Sequence, residues 1–219
     1  MVTRQNSLAI GLSVLLVASV IAVFLLYAQN KQLIQAVQES ERKLSEQDKQ
    51  VADLIATQEK ETKSTYEALV SGLKEQIEKQ EVIIKDLQEG LSLTFVDRIL
   101  FEFGKANITP AGKRILKKVG KVLKNVEGRK IRVSGHTDNV PIHPKYTHKF
   151  PTNWELSAAR AASVVRYFQE EAGLDPKDME AVGRSFYQPV ASNETKEGRD
   201  RNRRVEIFIA PKMEIKNKK

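Results

Sequence analysis

The sequence predicts an α+β domain, helices packed on one mixed sheet, behind an apolar segment and a long helical or coiled-coil stalk. Three observations carry that expectation. No residue from Leu8 to Tyr27 is charged. Residues 29–89 contain no Pro, a single Gly, and apolar residues at helical spacing. Beyond residue 90, strand-like alternation and helical apolar stripes succeed one another. The expected divisions are a transmembrane anchor (1–28), a stalk (29–90), a folded domain (91–211) and a basic tail (212–219).

Leu8 to Tyr27 is filled by Leu, Val, Ile, Ala and Phe, broken only by Gly11, Ser13 and Ser19. Twenty residues at a helical rise give about 30 Å, the thickness of a bilayer's hydrocarbon core. Arg4 precedes the segment, so the positive-inside tendency puts the N-terminus in the cytoplasm, with Lys31 on the far side working against it. A cleaved signal peptide ending near Val20-Ile21-Ala22 is the alternative; the apolar run continues past that point to Tyr27, longer than a usual signal core. Either way the rest of the chain is exported, and the expected location is the inner membrane, single-pass, with the C-terminal domain in the periplasm.

In the stalk one seven-residue phase fits Leu33, Val37, Leu44, Val51 and Leu54, and another fits Val70, Leu73, Ile77, Ile84, Leu87 and Leu91. Between them Gln58 to Thr65 offers no apolar seam, so the register slips or the helix breaks. Fully helical, this spacer would reach about 90 Å. A parallel homodimer is expected, since each copy enters from the same membrane face; a solvated single helix or partly disordered linker stays open as the alternative.

In the domain, Leu91, Leu93 and Phe95, then Ile99, Phe101 and Phe103, alternate as in a strand. Thr109 and Pro110 read as N-cap and first residue of a helix with a stripe of Ile115, Leu116, Val119, Val122, Leu123 and Val126. Lys130 to Ser134 is a buried strand. Thr152 and Glu155 make a capping box for a helix running to about Ala172, and Gly173 stops it. Met179 to Val182 and Arg204 to Ala210 supply further strands, with a short helical turn between them.

Charge is unevenly spread. Residues 1–91 hold 10 Lys+Arg against 13 Asp+Glu, and residues 92–219 hold 26 against 15, so the two parts carry −3 and +11. The basic surplus belongs to the folded domain and suits an anionic polymer, or is simply a solvated surface. The absence of cysteine excludes disulfides, thiol catalysis and a lipid-anchoring Cys.

Three phrases stand out: Gly135-His136-Thr137-Asp138-Asn139, Asn153-Trp154-Glu155-Leu156-Ser157-Ala158-Ala159-Arg160-Ala161, and Gly198-Arg199-Asp200-Arg201-Asn202-Arg203-Arg204-Val205. In this order and at these separations, residues 91–211 resemble the peptidoglycan-binding domain shared by outer-membrane protein A and the flagellar stator protein MotB. The resemblance implies a non-covalent binding module, not an enzyme, needing no cofactor. It implies that Asp138 and Arg160 grip the zwitterionic end of diaminopimelate in the wall peptide, with Thr137 and Asn139 as flanking contacts. A ligand with an ammonium beside a carboxylate calls for a fixed anion and a fixed cation, and the arginine fork matches a carboxylate with two hydrogen bonds. Asn153, a donor and acceptor, and Ser157 share the face of Arg160. Arg203 either reaches the ligand or, with Arg204, braces the last strand against Glu206. The 140–152 loop, of the length seen in MotB-type domains, is either a lid over the groove or an excursion away from it.

Other readings compete with a passive wall tether. A MotB-like stator or a secretion-machine accessory subunit would share this head, but stators of that kind carry an Asp in the membrane helix, and Leu8 to Tyr27 has none. His136, His143 and His148 beside Asp138 invite a zinc-dependent wall hydrolase, yet their spacings match no standard ligand pattern. Nucleic acid is not an expected partner of an exported domain.

Overall fold

The structure is a computed structural model that describes residues 2–126 and 128–212, with side chains from Leu15 onward. The basic tail lies almost wholly outside the described residues. Contacts divide the chain into two units, Met1–Thr57 and Gln58–Lys219.

Helix α1 spans Val2–Gly72. In the first unit, its apolar stretch is long and apolar enough to cross a membrane, and Leu15 to Tyr27 are exposed rather than packed on protein. The seam residues Leu33, Val37, Leu44, Val51 and Leu54 are also exposed, so nothing among the described residues covers them. Arg42 and Lys43 pair with Glu39 at 3.2 and 3.4 Å, helical neighbours that each add only a few tenths of a kcal/mol (about 0.3).

The second unit starts well before residue 91. The end of α1 contributes Leu69, followed by Leu73, both 1% exposed in the domain core, and Arg129 reaches back to Glu61 at 3.4 Å. After a short helix α2 (Lys74–Glu78), Gln80 turns the chain at φ +55 and Val82–Leu87 forms strand β1. It pairs antiparallel with β2 (Gly90–Val96), Val82 opposite Phe95. The expected stalk boundary at residue 90 is therefore corrected. Ile84, Leu87 and Leu91 lie on strands, not on a coiled-coil seam, because the β-branched run Val82-Ile83-Ile84 suits a pleat better than a helix.

A second correction follows β2. Asp97–Leu100 forms a single helical turn, α3, and Phe101 makes only an isolated bridge to Ile108. The expected strand to Phe103 fails because Ile99, Leu100 and Phe101 are all buried, a run that one turn of helix allows and strict alternation does not. Helix α4 (Pro110–Leu123) starts as expected: Thr109 accepts a hydrogen bond from the Gly112 N–H at 2.9 Å. Ile115, Leu116, Val119 and Leu123 are buried, whereas Val122 and Val126 are only partly so.

Strand β3 (Arg129–His136), helix α5 (Asn153–Tyr167) and strand β4 (Met179–Gly183) form a parallel crossover unit. The Thr152/Glu155 capping box is present. Gly135 and Gly183 face each other in register beneath α5, and a Cβ on Gly135 would meet the Ser157 carbonyl at 2.2 Å. Two glycines thus let the helix ride close on the strand ends. Helix α6 (Lys196–Asn202) leads into β5 (Arg204–Pro211), which inserts between β2 and β3. The sheet order is β1-β2-β5-β3-β4, antiparallel except for β3 and β4. Leu93, Phe95, Val133, Val205 and Ile207 are 0% exposed at its centre, facing Leu116, Val119, Val164 and Phe168 from the helices.

Candidate functional site

The close approach of α5 to β3 decides where the site lies. Thr137 and Asp138 leave the end of β3 just where Asn153 opens α5, and the Asn153 amide donates to the backbone oxygens of Asp138 and Val140 at 3.4 and 3.0 Å. Two turns along the helix, Arg160 points to the same place; Asp97 arrives from the start of α3 and Arg203 from the end of α6. These side chains line a cavity of about 140 Å³. Val140, Pro141, Ile142, His143 and Tyr146 line it as well, so the long loop forms one of its walls. A neighbouring cavity of about 120 Å³ shares Asp97, Phe103 and Arg203.

Four charges meet in this space, two carboxylates and two guanidiniums. Asp138 and Arg160 do not pair with each other. Asp138 accepts from the Val140 N–H at 3.1 Å with Oδ1 and from Arg203 with Oδ2. Arg203 also holds Asp200. Arg160 lies 3.0 Å from Asp97 Oδ1, donates from Nε to the Lys105 carbonyl at 2.9 Å, and sits over the Phe101 ring. Burial pushes the Asp97 carboxyl up to about 6, against the pull of Arg160 and Arg203 and with the help of Asp138. Burial also lowers the Arg160 value, opposed by Asp97, although a guanidinium stays protonated. Among the described residues, Asp97 Oδ1 has no hydrogen bond of good geometry despite its short ion contact, and the buried Thr137 hydroxyl has no partner at all.

Of the residues expected from the sequence, Asp138, Arg160, Thr137, Asn153 and Arg203 converge on the cavity. Asn139 does not line it and is exposed. Ser157 does not reach it either: fully buried, its hydroxyl donates to the Trp154 carbonyl and accepts from the Ser185 N–H, each at 3.0 Å. Its place on the Arg160 face serves to tie α5 to the segment after β4. Arg203 and Arg204 divide the two expected roles. Arg203 takes the cavity, and Arg204 braces Glu206 at 2.7 Å and the Gln188 carbonyl at 3.1 Å. Glu206 is held down to about 2 by His136, then by Arg204, with burial opposing; Arg204 is the shorter contact, since His136 stands 3.7 Å away. Asp97 was missed. Its signal was a lone carboxylate inside the largely apolar run Leu93 to Phe101.

Residues 100–203 match the OmpA family. A solved structure, the cell wall anchor of the T6SS from Pseudomonas aeruginosa, superposes with a TM-score of 0.59 at 35% identity, covering 65% of this chain and 96% of that one. The chain belongs to the OmpA family. Among its OmpA-family relatives, Motility protein B of Bacillus subtilis is 42% identical over 128 residues, 58% of this chain and 48% of that protein. The peptidoglycan-binding protein ArfA of Mycobacterium bovis is 35% identical over 124 residues, 57% of this chain and 36% of that protein. The chain spans about half the length of the curated relatives it matches first. The OmpA-family match covers every cavity residue but Asp97, which lies three residues before it. Among the described residues no three His, Cys, Asp or Glu side chains gather as a metal set: His136 turns to Glu206, while His143 and His148 are exposed on the loop.

Proposed function

We propose that this chain binds peptidoglycan non-covalently and tethers the membrane that holds its N-terminal helix, or a complex in that membrane, to the cell wall. The ligand is the free end of diaminopimelate in the stem peptide. The observation that carries this reading is the convergence of Asp138, Arg160, Asp97 and Arg203 on one cavity sized for the end of a single amino acid. Each oxygen of Asp138 accepts one hydrogen bond and keeps a lone pair for an ammonium. Arg160 spends Nε on a carbonyl and Nη1 on Asp97, which leaves Nη2 for a carboxylate. The buried, unpartnered Thr137 hydroxyl adds a polar contact beside Asp138.

Relatives named as a cell wall anchor and as a peptidoglycan-binding protein support the reading. The site we assign comprises Asp138, Arg160, Thr137, Asn153 and Arg203, with Asp97 added; no catalytic step is needed. The 42% likeness to a motility protein favours a second reading, a stator or secretion-machine subunit with the same head. The uncharged run Leu8 to Tyr27 supplies no ion-carrying group, so the tether is preferred. The exposed seam from Leu33 to Leu54 supports a parallel homodimer in a single-pass inner-membrane protein whose head lies in the periplasm. Pull-down of the full chain on purified sacculi tests the function: wild type is retained and Asp138→Ala is retained more weakly. Equal retention of the two would remove the site.

A further inference from the structure

Beside the cavity lies an aromatic surface that the charged site does not use. Trp154 stacks on Tyr187 with ring centroids 5.4 Å apart and planes 26° from parallel, and Tyr187 stacks on Phe186 at 4.4 Å and 25°. Trp154 is 49% exposed and Tyr187 62%. A contiguous exposed aromatic surface marks an interaction site more often than a scattered apolar residue does, and Trp and Tyr are enriched where such sites meet a partner.

The position of the stack restricts what that partner is. Trp154 follows Asn153, which lines the cavity, and the Thr137 N–H, also at the cavity, donates to the carbonyl of Ser185, two residues before Tyr187. Both rings are therefore fixed to the backbone of the charged site. In the wall, diaminopimelate is the third residue of a stem joined to an amino sugar, and three extended residues span at most about 10 Å. Trp154 has its Cα about 3.8 Å from that of Asn153. A stem seated in the cavity and leaving along the start of α5 is therefore long enough for its sugar to reach the rings. A pyranose ring offers a face of C–H groups that suits an aromatic plane, with hydroxyls around its edge.

We infer that Trp154 and Tyr187 form a stacking platform for the glycan strand of the wall, a second subsite beside the peptide cavity. The inference rests on the reading of the cavity as the stem-peptide site. Trp154 is the only tryptophan in the chain, so its fluorescence reports on the platform directly.

The test titrates the detergent-solubilised full chain with peptide-free glycan strands and, separately, with a free stem tripeptide ending in diaminopimelate. Glycan strands are expected to change Trp154 emission saturably in wild type and equally in Asp138→Ala. Tyr187→Ala should weaken glycan binding about three- to tenfold and leave tripeptide affinity unchanged. In pull-down on glycan, Trp154→Phe keeps binding and Trp154→Ala loses it. Unchanged emission on adding glycan, or glycan binding by Tyr187→Ala equal to wild type, overturns the platform, including the case in which the rings serve a protein partner. If glycan binds and the tripeptide does not, the cavity reading fails while the platform stands.

Discussion

Asp97 Oδ1 lies 3.0 Å from Arg160 Nη1, with both side chains buried, at 9% and 4% exposure. The carboxylate belongs to the turn after β2 and the guanidinium to α5, so the pair clamps two elements over the cavity. Removing one partner strands the other as a buried charge. Asp97→Ala is expected to cost about 3 to 5 kcal/mol of stability in urea unfolding, far more than an exposed pair would.

The same carboxylate gives the domain a pH dependence. Its folded-state value of about 6 lies above the ordinary 3.8, so between those values the folded chain holds a proton that the unfolded chain has released. The Asp97 contribution therefore makes the domain less stable as pH rises from about 4 to about 7. Urea midpoints measured across that range should show this fall in wild type, and the Asp97→Asn protein should lack that component.

Ser157 separates packing from binding. Its hydroxyl makes two buried hydrogen bonds and does not line the cavity. Ser157→Ala is expected to lower stability by about 1 to 3 kcal/mol, because the Ser185 N–H loses its acceptor. Stem-peptide affinity measured by calorimetry on the folded variant should stay close to wild type.

Much of the fold was legible because local chemistry and tertiary structure agree. The Thr109 cap, the Thr152/Glu155 box, the stop at Gly173 after the wider helical turn Phe168–Ala172 that prolongs α5, and the alternation of Val205, Ile207 and Ile209 all behave as their residue types suggest. The misses share a cause. Apolar residues at Val70, Leu73 and Ile77 continue in phase into Ile84 and Leu87, and periodicity alone does not mark where helix gives way to strand. Asp97 was hidden because a helical turn inside a strand-like run shows no Gly or Pro signal. Asp138 and Arg160 were found as a pair, but their partners come from sequence-distant elements, and no local pattern joins Asp138 to Arg203 or Arg160 to Asp97.

The corrected boundary is itself testable. A fragment beginning at residue 91 loses β1 and the buried Leu69, Leu73 and Val82, and it bares the edge of β2. Residues 58–219 should melt cooperatively and remain soluble. Residues 91–219 should be destabilised by several kcal/mol, since deleting one buried Leu side chain alone costs about 2 to 5. Differential scanning calorimetry of the two fragments checks this.

Asp138 and Arg160 are proposed to hold the ammonium and the carboxylate of one amphoteric ligand. Calorimetric titration of the full chain with two stem peptides tests it, one carrying diaminopimelate and one carrying lysine, which keeps the ammonium and lacks the side-chain carboxylate. The diaminopimelate stem is expected to bind at least about tenfold more tightly, as loss of a charge-assisted contact to arginine demands, and Arg160→Ala should erase the difference. Equal affinity for the two stems, or a difference that survives in Arg160→Ala, would contradict it.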